Sequence, residues 1–403
     1  MRKKSPLLAT MFVVAMTLSA WASAATAPET DANNIKWSAS TGVGYDSNVY
    51  QAPGSAYTDY AAFPLGSNPV VNPKIKSGLF VPYEVKMAAE KINDQNSRLL
   101  GSASLDGIFY AGGGLSDANE YNLGLKGGPE YVISSKEKSE DTVYVGAVLE
   151  KHKQVYVDHD SGAIKTTTSG ADISNRYSYT SIGVEAKYKH TIGRIDYGVN
   201  GQYILNDYED PIVVSQLDHS YYTLGADASI PVANKTRLNL SFDHKVRDYS
   251  KRHAHDAQGI YSSANPLLLY TYNVVGVSLR NRISPDWLLY LDFDHTQRAD
   301  GYVSYNDYNE NRYGIRVLYE QGRLKARLAM HHWGRDYPNG FAFDVAGQGS
   351  KTYNGNVLKF KAELEQTRNS SFWTELLYKA QHTTDLRYDY VRTQVMAGMS
   401  WAY

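Results

Sequence analysis

In the segment KRHAHDAQG several potential metal ligands stand close together. His253, His255 and Asp256 could contact a metal ion there. An H-x-H pair in a loop lacks the third fixed ligand that a zinc site requires. His331 and His332 are adjacent, and on a strand adjacent side chains point to opposite faces, so the two imidazoles cannot act together. No Ser, His and Asp stand at a spacing that signals a nucleophile with its base, and no Gly-rich segment has the form of a phosphate loop. The sequence is therefore read as that of a protein that is not an enzyme and that has no cofactor and no metal.

The charged residues are more informative once the elements that carry them are found. Composition sets the frame: 403 residues with 34 Tyr, 10 Phe, 32 Gly and no Cys, and a formal net charge of −1. This balance predicts no nucleic-acid partner. Tyr at such density belongs where one side of a ring is apolar and the other wet. The start, MRKKSPLLATMFVVAMTLSAWASA, combines Arg2, Lys3 and Lys4, an apolar run, and a small-x-small site at Ala22-Ser23-Ala24. This is the pattern of a secretory leader over residues 1–24. Beyond it no apolar run approaches the ~20 residues that a membrane helix needs.

The rest of the chain alternates instead, with a period of two. Trp37, Ala39, Thr41, Val43 and Tyr45 form one such row, and Leu79, Val81, Tyr83, Val85 and Met87 another. The pattern recurs about sixteen times, ending in Val395, Ala397, Met399, Trp401 and Tyr403. Short polar turns such as TIGR, VANK and EQGR alternate with longer stretches around residues 47–74, 158–175, 207–219, 251–266 and 337–352. Ten-residue alternating segments joined by turns of alternating length predict an all-β fold, a transmembrane antiparallel β-barrel of residues 25–403. Tight turns and both termini would then share the periplasmic face, with Trp37, Trp287, Trp373 and Trp401 in an interfacial girdle. A soluble sandwich or propeller is the competing fold. It seldom needs strands this long, and no 40–50-residue repeat marks blades.

With apolar rows facing lipid, the other row faces the lumen. In the first half this row carries Glu84, Asp106, Glu130, Glu150, Glu185 and Asp196, with Lys86 and Lys187. From the ninth strand onward it holds Arg237, Lys245, Arg247, Arg280, Arg282 and Arg312, then Arg316, Lys325, Arg327, Lys359, Lys361 and Arg392. These cations either pair across strands with acids such as Asp243, Asp292, Glu363 and Glu365, or form a basic track for an anionic polymer. Inward Tyr144, Tyr177, Tyr179, Tyr290 and Tyr390 would offer ring faces to sugars.

Two short motifs carry resemblances. Gly398, Trp401 and Tyr403 are similar to the C-terminal signal by which outer-membrane barrels are read by the barrel-assembly machinery. Gly44-Tyr45-Asp46-Ser47-Asn48-Val49, with the aromatic Tyr50 after it, resembles the end of the first strand in the EpsL-like outer-membrane barrels of exopolysaccharide export loci. The residues alone equally fit a strand ending in an Asx-type turn at Asp46 and Asn48. The resemblance implies a conduit through the outer membrane of a Gram-negative bacterium for an exopolysaccharide. A separate periplasmic polysaccharide-export protein would deliver the polymer, since no tetratricopeptide array precedes the barrel. A diffusion porin for small sugars or anions and a non-conducting surface-assembly barrel are the alternatives.

Overall fold

In a computed structural model the described residues are 33–403 except 63, 95, 113, 137–138, 168, 212 and 215. The expected leader at residues 1–24 lies outside them. The strands in chain order are β1 (Asn33–Asp46), β2 (Tyr57–Thr58), β3 (Val70–Val71), β4 (Gly78–Asp94), β5 (Ser97–Ala111) and β6 (Glu120–Lys136). They continue as β7 (Ser139–Lys153), β8 (Tyr179–Ile192), β9 (Ile195–Tyr208), β10 (His219–Ala233), β11 (Thr236–His253) and β12 (Leu267–Arg282). The last are β13 (Trp287–Asp300), β14 (Tyr308–Gln321), β15 (Leu324–Phe341), β16 (Ser350–Thr367), β17 (Ser370–Thr383) and β18 (Tyr390–Ala402). All but β2 and β3, which pair with each other in the first long connection, form one closed antiparallel barrel of sixteen strands. Closure pairs every strand on both sides and leaves no edge.

Register follows the apolar rows. Phe242 of β11 faces Val275 of β12, and Phe293 of β13 faces Tyr313 of β14, all on the outside. The outer surface exposes Leu224, Leu240, Val277, Ile315, Met330 and Phe360 in a continuous belt. Tyr131, Tyr188, Tyr197 and Trp287 rim this belt on the side of the tight turns; Tyr45, Tyr203, Tyr222 and Tyr313 rim it on the other. An apolar belt of this kind on a closed barrel, flanked by aromatics, has the form of a surface solvated by lipid.

The turns expected to be tight, TIGR, VANK and EQGR among them, all lie at one end, in the connections β4–β5, β6–β7, β8–β9, β10–β11, β12–β13, β14–β15 and β16–β17. The opposite end carries the five long stretches, here 47–77, 154–178, 209–218, 254–266 and 342–349, and three more connections of six to eight residues at 112–119, 301–307 and 384–389. Those three were not marked in the sequence.

Trp373 corrects the girdle. It pairs with Glu363 and Gly398 on the inward row, is buried, and lies beneath Lys361, whose Nζ is 5.5 Å from the ring. A Cβ on Gly398 would lie 2.6 Å from that ring, so the glycine is the space into which the tryptophan fits. Gly44 does the same for Phe80, at 2.5 Å.

Candidate functional site

The barrel closes at β1 and β18, whose register runs from Ser38↔Ala402 to Asp46↔Gln394. At the turn end Tyr403 stacks on Trp37 with ring centres 4.6 Å apart, and their backbones exchange two hydrogen bonds of 2.8 Å. At the loop end stands Asp46, fully buried. It accepts hydrogen bonds from Arg392 Nε at 2.9 Å, Tyr110 Oη at 2.7 Å, Gln394 Nε2 at 2.8 Å and the Asn48 N–H at 2.9 Å. Asn48 in turn donates to the carbonyls of Ala52 and Val391 and accepts from the Ala52 N–H. The Ser47 hydroxyl accepts the Thr393 N–H, and Val49 enters an apolar cluster with Tyr50, Phe80 and Leu115. Tyr45, by contrast, faces outward. The motif Gly44–Val49 is thus a clasp on the closure seam. It contains the Asx-type turn read from the sequence, and Arg392 belongs to the clasp instead of lying free in the lumen.

The remaining cations of the expected track divide by partner. Arg237 meets Asp196 at 2.9 Å, Arg316 meets Asp292 at 2.9 Å, Lys325 meets Glu365 at 2.7 Å and Lys359 meets Glu375 at 2.8 Å. Lys245, Arg312 and Lys361 stand 3.6 to 3.7 Å from Asp243, Glu310 and Glu363. Arg282 donates to the Pro285 carbonyl at 3.1 Å and so fastens a tight turn. Arg247, Arg280 and Arg327 have no carboxylate partner among the described residues. Carboxylates thus stand against seven of these eleven cations, four across strands and three along one strand. The other wall repeats both patterns, across strands in Glu130–Arg98 and along one strand in Glu84–Lys86 and Glu185–Lys187.

The inner face of β10–β16 is layered along the barrel axis. Near the loop end runs a ladder of rings and guanidinium groups. Arg247 lies over Tyr221 and Tyr272, each at 5.9 Å; Arg298 lies between Tyr270 at 4.2 Å and Tyr308 at 4.4 Å; Arg335 covers Tyr308 at 4.5 Å. Ring contacts carry the ladder on through Tyr337 to Tyr353 and Tyr388, and backward through Tyr249, His219 and Tyr208 to Tyr179 and His152. Stacked guanidinium and phenol groups hold one another in place. Lower on the wall Arg316 stacks on Tyr290 at 4.4 Å. Across the lumen Lys187 stands over Tyr144, and Tyr390 occupies the inward row of β18. Tyr177 differs from expectation: it lies in the 154–178 connection, edge-on to Tyr156 at 4.7 Å. Arg298 and Arg335 were missed in the sequence. Both occupy inward positions near the loop end, and alternation could have found them.

Midway down, small residues hollow the wall. Ser229, Ser241, Gly276, Ser278 and Gly314 line a recess of about 450 Å³, edged by Asn239, Asp227, Asp292, Asp294, Arg312, Arg316 and His331. Below it come Arg280 on β12, Tyr290 on β13 and Arg316 on β14, neighbours in register.

The loop end is bridged. Tyr57, at the β2–β3 hairpin, donates to Asp160 Oδ2 at 2.9 Å and packs against Phe343 with ring centres 6.3 Å apart. Asp160 belongs to the β7–β8 connection and Phe343 to the β15–β16 connection, which rise from opposite sides of the ring. Burial and the Asp160 carboxylate push the Tyr57 hydroxyl well up, so it remains a donor at physiological pH. The His253–Asp256 group serves the neighbouring loop: His253 bonds the Asn265 carbonyl, His255 packs on Tyr305, and Asp256 accepts from two backbone N–H groups. His331 faces the recess and His332 the exterior, where it bonds Asn356 at 3.0 Å.

No protein-family description and no curated protein matches the chain. Solved structures resemble it in fold. OmpF of Salmonella typhi in complex with daunomycin has 11% identity, a TM-score of 0.46, and coverage of 93% of this chain and 98% of that one. A loop-deletion mutant of OmpT, an outer membrane protein of Vibrio cholerae, has 9% identity, a TM-score of 0.43, and coverage of 93% and 100%. A bacterial polysaccharide outer membrane secretin has 10% identity, a TM-score of 0.42, and coverage of 91% and 98%.

Proposed function

We propose that this protein is an outer-membrane conduit through which an exopolysaccharide leaves the cell, with the tight turns and termini in the periplasm and the bridged loops outside. The observation that carries the reading is the Tyr–Arg ladder on the inner wall of β10–β15 near the loop end, where buried Tyr270 and Tyr308 hold Arg298 and half-buried Tyr221, Tyr272 and Tyr337 leave ring surface toward the lumen. Ring faces pack on the C–H surfaces of sugars, and guanidinium donors reach their oxygens. No bond is made or broken, so force on the polymer would come from a periplasmic polysaccharide-export partner. The chain itself would reach its membrane through the barrel-assembly machinery, with Gly398, Trp401 and Tyr403 as the signal.

Removing ring faces tests the reading. Tyr221→Ala with Tyr272→Ala should lower secreted polysaccharide in cells that keep the normal amount of heat-modifiable barrel. Unchanged secretion would sink it. The second reading, a diffusion porin for small sugars or anions, is favoured by the pairing of most track cations with carboxylates. Under it, Arg280→Glu with Arg327→Glu would shift single-channel selectivity toward cations and leave secretion untouched.

A further inference from the structure

A sixteen-stranded barrel leaves an aqueous lumen that side chains do not fill, and the recess on β10–β14 is a local hollow in the wall of that lumen. Nearby the inward row carries large residues such as Tyr290 and Trp333. Here the inward row instead offers Ser241 on β11, Gly276 and Ser278 on β12 and Gly314 on β14. A Cβ on Gly276 would lie 2.4 Å from Ser241 Oγ and 2.9 Å from Asp294 Oδ1, so the glycine makes room for these two polar side chains at the floor of the recess. At about 450 Å³ the recess falls within the range of small-molecule sites, roughly 300–1,000 Å³.

Its lining has both signs. Asp292 is engaged by Arg316 through two bonds, of 2.9 and 3.1 Å, and by Ser278 at 2.6 Å. Asp227 and Asp294 have no ion-pair partner among the described residues, and Arg312 faces Asp294 across β13–β14. A polyanion meets the unpaired carboxylates, and a polycation meets Arg312 and Arg280. A hydroxyl both donates and accepts, so a polyol satisfies carboxylate, guanidinium and serine at once. We propose that the recess seats one uncharged sugar unit of the passing chain, and that the exported polymer is accordingly neutral. This rests on the conduit reading above and replaces the anionic polymer expected from the row of cations.

The test is single-channel recording of the full mature chain in planar bilayers, with maltohexaose, a galacturonate hexamer and a glucosamine hexamer as neutral, anionic and cationic probes. Maltohexaose should interrupt the current longest. Gly276→Val, or Ser241→Val if the former fails to give a heat-modifiable band, should shorten its residence about tenfold. Asp294→Asn should weaken the neutral block and let the galacturonate hexamer block where it did not before. A longer block by either charged hexamer in the unmodified barrel, or a maltohexaose residence unmoved in the filled variants, overturns the seat alone. Absence of block by all three hexamers overturns the conduit reading along with it.

Discussion

Two arginine–carboxylate pairs in this barrel have the same chemistry and opposite uses. Arg392–Asp46 sits on the closure seam, with Asp46 wholly enclosed and two further side chains and a backbone N–H converging on it. Both Arg392 donors converge on one Asp46 oxygen, whereas Arg316 grips the two oxygens of Asp292 side by side, yet the side chains of this second pair keep 40% and 17% of their surface open to the lumen. Burial makes the first a fastening, because a carboxylate out of water must be fully paired. Exposure leaves the second cheap to exchange, since water and solute hydroxyls compete for the same atoms. A row of inward arginines in the sequence therefore does not describe one surface.

The largest effect should come from the buried pair. Arg392→Met leaves Asp46 enclosed without its cation, a loss of about 3–5 kcal/mol. The amount of heat-modifiable barrel should fall steeply, and the double change with Asp46→Asn should recover part of it. If Arg392→Met assembles normally, the seam does not depend on the clasp.

The other end of the same seam ranks next. Trp401→Ala with Tyr403→Ala removes the stack on Trp37 and alters the proposed assembly signal. Less assembled barrel is expected while export to the periplasm continues. Normal outer-membrane levels would rule out both roles.

Tyr57→Ala removes the hydroxyl and ring that tie two connections across the loop end, at a cost of roughly 1 kcal/mol for the hydrogen bond. The barrel should assemble as before and show a larger, noisier single-channel conductance. A conductance equal to that of the unmodified chain would mean that the bridge does not limit passage.

For the exposed pair, Arg316→Ala should change stability by only about 0–1 kcal/mol. Urea or thermal unfolding measured beside Arg392→Met gives the contrast directly, and similar losses for both would erase it. The smallest effect is that of pH on the β7–β8 connection. Burial pushes the Asp158 carboxyl up, but the hydrogen bond and charge of Lys165, with the Ser161 bonds, outweigh it and hold the group below its ordinary value. A lowered value in the folded loop means that the stabilisation is present at neutral pH and lost as pH falls through it. Protease cleavage of residues 154–178 should become faster only in acid, and Lys165→Met should remove that dependence.

The sequence by itself determined the barrel. Lipid outside and water inside impose a period of two on every strand, so the alternation from Trp37 to Tyr403 is a direct imprint of the two solvents, and turn length sorted the ends. It also determined that Glu84 and Arg280 would face the lumen and that His331 and His332 would face apart. What only the tertiary structure decided is partnership. Asp46 and Arg392 are more than 300 residues apart and meet because the ring closes; Trp373 finds room inside because Gly398 lies opposite it in register; Tyr57 reaches Asp160 and Phe343 because two connections lean over the same opening. Alternation is a local property set by solvent on either side of one strand. Which charge neutralises which, and where small residues on separate strands add up to a hollow, depends on register and closure, which no single strand encodes.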